Sequence, residues 1–319
     1  MTGVPDGATT LSRPMARRRR RRKWWALILV IVAIAPVAVW YWPEINTAVT
    51  GVGAVPRCAS CPMSRANYPW LPVDMDYEPL ARRIPMPRGY HEVAVRPGSF
   101  GEWLRYIAVA PPGTPVRDVG GKRLRMASRY AKAVLAIDPR EMQECADVVI
   151  RLRAEYLRQA GEPDKLVFPL TSGGSISWPR WIAGERPRLA GDRIVFGRTS
   201  ERGDSREQFD DFLTSAFTWC GTISLARDGR SVSPEDIQPG DFVSRPSPGS
   251  TGHAMLIADV VEDDAGHHLA LMVQGAMPAQ TPHVALGHVL GAWVVVDPAG
   301  ALEVPGWRPF EWTLLRRFR

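Results

Sequence analysis

Hydrophobic positions in this chain fall into three textures. The first is one unbroken run, Trp24 to Trp42, of nineteen uncharged residues. At the helical rise it spans roughly 28 Å, about the hydrocarbon thickness of a bilayer. Trp24 and Trp25 stand at one end and Trp40, Tyr41 and Trp42 at the other, where amphipathic rings prefer the membrane interface. The second texture is helical. Asp138-Pro139 precedes a segment ending at Gly161 in which Cys145, Val148, Val149, Leu152 and Tyr156 step by three and four, so a helix with an Asp cap and Pro at its first position is predicted. Ser99 with Glu102, and Ser205 with Gln208, have the spacing of capping boxes and predict helices over 100–107 and 206–220.

The third texture follows Ser231. Asp241–Ser244, His253–Val261, His268–Gln274 and Ala292–Val296 are short, β-branched and separated by Gly, Pro and Asp turns. Helices first and neighbouring antiparallel strands afterwards predict an α+β domain with a helix laid on one face of a sheet. Ahead of it, prolines at 43, 56, 62, 69, 72, 79, 85 and 87 break any long period. The expected organisation is a basic tail (1–23), a transmembrane helix (24–42), a Pro-rich stalk (43–88) and a globular domain (89–319).

Charge sharpens the membrane reading. Arg13, Arg17 to Arg22 and Lys23, set against Asp6, account for the whole net charge of +7, leaving 32 basic and 32 acidic residues in the rest of the 319. A basic cluster before an apolar span keeps that end in the cytoplasm, so the domain is expected outside the membrane behind an uncleaved signal-anchor. The neutral remainder argues against nucleic acid as a partner, since a docking face needs its own positive charge. Four cysteines exclude a disulfide-dense scaffold. Cys58-Ala-Ser-Cys61 reads as a local disulfide or two idle thiols rather than a zinc half-site, because no second pair follows. His267-His268 in a charged turn has no zinc spacing, and no metal or cofactor is expected.

Three residues carry candidate chemistry. Cys145 lies early in the long helix, where backbone N–H groups favour a thiolate. His253 opens one strand and Gln274 closes the next. A nucleophile, a base and an orienting polar group on helix, strand and adjacent strand form the logic of thiol acyl transfer. Each alone is also an ordinary core or spectator residue. Trp178 and Trp181, after Gly173-Gly174-Ser175, could line a sugar or peptide groove or simply pack together. Arg151, Arg153 and Arg158 could bind an anion or form a solvated face. Cys220, towards the end of its helix, is read as core.

Glu144-Cys145-Ala146-Asp147-Val148-Val149, Pro239-Gly240-Asp241-Phe242-Val243 and Gly252-His253-Ala254-Met255-Leu256-Ile257 resemble, in order, the cysteine, Pro-Gly-Asp and histidine segments of the papain-like NlpC-type cell-wall amidopeptidases. Val273-Gln274-Gly275-Ala276 occupies the place of their third polar residue. That resemblance implies a papain-like fold, Cys145 as nucleophile, His253 as base, Gln274 as orienter, and a cell-wall peptide as partner. The 108-residue interval from Cys145 to His253 implies an insertion. A helix starting at Asp138 would put Cys145 about two turns in, where the dipole effect has faded, so either a separate turn precedes the true helix start or this cysteine is structural. The strings Gln143–Leu157, Phe217–Leu225 and Gln274–Gln280, with His283 and Glu311-Trp312, resemble domain of unknown function 4846 over roughly residues 85–319.

Overall fold

The computed structural model describes residues 53–58, 61, 68–71, 76–247, 249 and 252–319. The basic tail and the apolar run 24–42 lie outside them. Among the described residues no helix is long and apolar enough to cross a membrane.

Nine antiparallel strands form the central sheet: β1 (Tyr90–Glu92), β2 (Ala131–Val134), β3 (Arg230–Ser231), β4 (Phe242–Arg245), β5 (His253–Asp263), β6 (His268–Gln274), β7 (His283–Ala285), β8 (Trp293–Val296) and β9 (Leu315–Arg317). Their order is β3-β9-β4-β5-β6-β7-β2, with β1 added to the far end of β5 and β8 paired with β6. The helices that matter are α1 (Phe100–Arg105), α2 (Arg125–Arg129), α3 (Cys145–Gln159), α4 (Trp178–Ile182), α5 (Arg206–Trp219) and α6 (Thr222–Asp228). The protein is thus α+β with an antiparallel sheet, and the strand segments read from the sequence all form.

The centre of the sheet is buried on both faces, because its alternating residues feed two cores. Ala254, Leu256, Leu269, Leu271 and Val273 join the core shared with α3. Met255, Ile257, Ala270 and Met272 face a second core closed by Leu302, Val304 and Phe310. This is the period-two geometry of a strand applied twice. A register shift between Ile257 and Asp259 breaks the alternation and sets a carboxylate in the interior. Asp259 Oδ1 accepts from Arg105 Nη2 at 2.9 Å, and Arg57 closes on its other oxygen.

α3 is buried around most of its circumference, packed on β5 by one side and on α5 by the other. Its buried Glu155 therefore needs a partner, which Arg206 of α5 supplies through two bonds of 2.7 and 2.8 Å. The Ser99 and Ser205 caps form as read, accepting from the N–H groups of Glu102 and Gln208. The start of α3 differs. Asp138-Pro139 does not cap it; a turn through Met142, at φ 63°, intervenes, and the helix begins at Cys145 with Asp147 Oδ2 accepting from the Glu144 N–H at 2.9 Å.

The described residues of the segment expected as a stalk include core members. Tyr68, Leu71, Leu80 and Ile84 are buried in the core, and Ala54–Val55 pairs with Met86–Pro87. Prolines here interrupt periodicity without preventing burial of the apolar residues between them. Cys58 and Cys61 form a disulfide.

Candidate active site

Where β6 leaves β5, the Cys145 sulfur meets the backbone that flanks His253, and the His253 imidazole meets Gln274. The last β5–β6 pair is Leu256–Val273, and the N-terminus of α3 approaches the strands beyond it. Gly275 permits this approach, since a Cβ there would stand 2.7 Å from Val148 Cγ2 and 3.3 Å from Glu144 O. Gly252 serves a different contact, because a Cβ there would stand 2.6 Å from Arg245 O and close on Thr222 of α6. The thiol of Cys145 points at Gly252 O, 3.8 Å away, and the Ala254 N–H donates to the sulfur. Sulfur therefore sits against the backbone on both sides of His253.

A chain of hydrogen bonds determines the state of His253. Thr281 O can only accept, so His283 Nδ1 carries a proton and donates across 3.0 Å. His283 Nε2 is then a lone pair and accepts from Gln274 Nε2 at 3.2 Å. That fixes the amide, leaving Gln274 Oε1 to accept from His253 Nε2 at 3.1 Å. His253 is consequently the Nε2–H tautomer, with Nδ1 as its basic nitrogen. Trp307 lies flat on the ring, with centroids 3.5 Å apart and planes 9° from parallel. Burial pushes both His253 and His283 down to about 4, so both are neutral at pH 7.

The thiol moves against the direction expected from a helix N-terminus. Burial raises its pKa; the N–H groups of Ala254 and Ala146 pull it back, and Asp147 and Glu144 push it up again. Asp147 is itself pushed up to about 8 by burial. At rest Cys145 is a thiol and His253 a neutral imidazole. Cys220 is buried and raised further, chiefly by desolvation, as a core residue would be.

A cleft of about 600 Å³ abuts this chain of groups, with Gln274, His283 and Trp307 in its wall. Its rim carries Lys122, Arg123 and Arg125 around α2, all exposed, and no acidic residue lines it. Exposed Met126 and Met277 add apolar contact surface. Trp178 and Trp181, expected to line a groove or to pack together, lie elsewhere and pack. Both are at most 5% exposed, packed edge-on against Phe212 of α5, so neither ring has a face left for a ligand.

Two residues of the site escaped the sequence reading as site residues. His283 belongs to it because it is the register partner of Gln274, which only the β6–β7 pairing reveals. Trp307 arrives from a loop with no periodic signal. Among the described residues no group of three or more His, Cys, Asp or Glu side chains could hold a metal ion. No curated protein and no solved structure matches the chain. Residues 80–317 match the family model described as domain of unknown function (4846), so the chain belongs to that family.

Proposed function

We propose that this protein is a membrane-anchored, extracytoplasmic thiol hydrolase of papain-like type that cleaves amide bonds in cell-wall peptides. The observation that supports this reading is the single tautomer imposed on His253, whose flanking backbone the Cys145 sulfur contacts. In the reaction Cys145 Sγ attacks the amide carbonyl carbon while its proton passes to His253 Nδ1. The N–H of Cys145, at the first turn of α3, donates to the oxygen that becomes negative. The imidazolium then protonates the leaving amine as the C–N bond breaks, and water hydrolyses the thioester. Gln274 holds the ring throughout through Nε2–H.

The cationic rim of the cleft suits the carboxylates of such peptides, and the Cys58–Cys61 disulfide suits an oxidising compartment. A second reading, a catalytically inactive relative that binds cell-wall peptide or a partner protein in the same cleft, draws on the burial that raises the thiol and leaves Cys145 only 7% exposed. The test is incubation of the full chain with purified cell-wall peptides and mass detection of newly released amines. Release that is lost in Cys145→Ala and His253→Ala but kept in Cys220→Ala is the expected result. Release unaffected by Cys145→Ala refutes the hydrolase, and peptide binding without release favours the second reading.

A further inference from the structure

The arginines of α3 are satisfied in different ways. Arg151 donates to Asp138 O at 2.7 Å, and Arg158 donates to Asp204 O at 2.5 Å. Arg153, between them in sequence, makes no hydrogen bond or ion pair with any described residue. Its guanidinium instead lies over the rings of Phe100, Tyr156 and Phe318, with 5.1 to 5.5 Å to their centroids. Ring faces hold the cation but leave its N–H donors, directed in the guanidinium plane, without an acceptor. Burial disfavours its charge, and the carboxylate that favours it, Glu162, is bonded to Lys165 at 2.6 Å.

Arg153 lies in the wall of a second cleft, of about 700 Å³. Phe168, Leu225, Phe242 and Phe318 give this cleft an apolar interior. Lys165, Arg227 and Arg319 supply further cations, and the single acidic residue, Asp228, is bonded to Arg227 at 2.6 Å. One wall is the Gly173–Gly174 turn, whose residues have φ 101° and 77° and no heavy atom within 4 Å of where a Cβ would stand. The two glycines line the cleft with backbone alone. The undescribed segment 1–52 offers only Asp6 and Glu44 as carboxylates, which makes it a poor occupant.

We propose that this cleft is a ligand site separate from Cys145, in which Arg153 binds the carboxylate of a small molecule whose apolar body lies against Phe168, Phe242 and Phe318. The three rings hold the guanidinium in place before the ligand arrives, so its planar fork meets a carboxylate in two parallel bonds without first being ordered. The site does not depend on any reaction at Cys145.

The experiment uses the full chain and two probes of one shape, 2-naphthoate and the neutral 2-naphthamide, with affinities from isothermal titration. The acid should bind about tenfold or more tightly than the amide, the range of a charge-assisted pair over a neutral one. Arg153→Met should remove that preference, Arg153→Lys should retain part of it, and Cys145→Ala should leave it intact. Melting curves of each variant separate lost binding from lost folding. Equal affinities for the two probes, no binding of the acid, or a preference that survives Arg153→Met in a folded protein overturns the proposal. The comparison of the probes on the unmodified chain decides the matter even if every Arg153 variant unfolds.

Discussion

Replacing Gly275 with alanine tests the contact that holds α3 against the end of β6. The new methyl would meet Val148 Cγ2 at 2.7 Å and Glu144 O at 3.3 Å, and Val148 is fully buried. The first distance is too short for any carbon pair, so the helix must shift or Val148 must leave its rotamer. Overpacking of this kind costs about 1–3 kcal/mol. Val148→Ala alone loses the burial of two methyls and leaves a cavity, a cost of roughly 2 kcal/mol. The same substitution removes the atom that the new methyl would strike. The double variant should therefore be less destabilised than the sum of the singles, by about 1–2 kcal/mol, the coupling expected of residues in contact. Urea unfolding of the four proteins measures all terms. Glu144 O, the carbonyl at the helix start, limits the rescue to part of the loss. Single costs that add to within about 0.5 kcal/mol would refute the claim that Gly275 exists to let α3 approach.

Because burial raises the Cys145 thiol, its alkylation rate should keep climbing as pH rises past the ordinary thiol value, measured by labelling and peptide mass; a plateau already reached in mild acid would contradict the neutral pair. His253 stays unprotonated until about pH 4, so loss of amide cleavage on acidification should centre near that value and not near 6.5, and a pH–rate profile with its acid limb at 6.5 would show a more solvated imidazole. Asp259→Ala should cost about 3–5 kcal/mol in urea unfolding, because it removes the buried carboxylate that Arg105 and Arg57 share and leaves them only the part-exposed Glu92; a loss under about 1 kcal/mol would mean that water and Glu92 suffice for both.

Local chemistry alone determined much of this protein. Ser99 and Ser205 cap helices because a hydroxyl three residues ahead of an N–H satisfies it wherever the helix lies, and the β-branched runs from Phe242 to Val296 form strands because their alternation suits a two-sided core. The order of Cys145, His253 and Gln274 along helix, strand and strand was legible for the same reason. What the tertiary structure decided depends on distant partners. α3 begins at Cys145 and not at Asp138 because its first turn had to meet Gly252 and Gly275 of the sheet, contacts more than a hundred residues away. His283 and Trp307 enter the site only through strand pairing and loop closure. Trp178 and Trp181 were ambiguous in sequence because a ring that packs and a ring that binds look alike until α5 covers one face. The direction of the thiol's pKa was the least legible feature, since the helix N-terminus acts locally, whereas desolvation sums over every element packed around the sulfur.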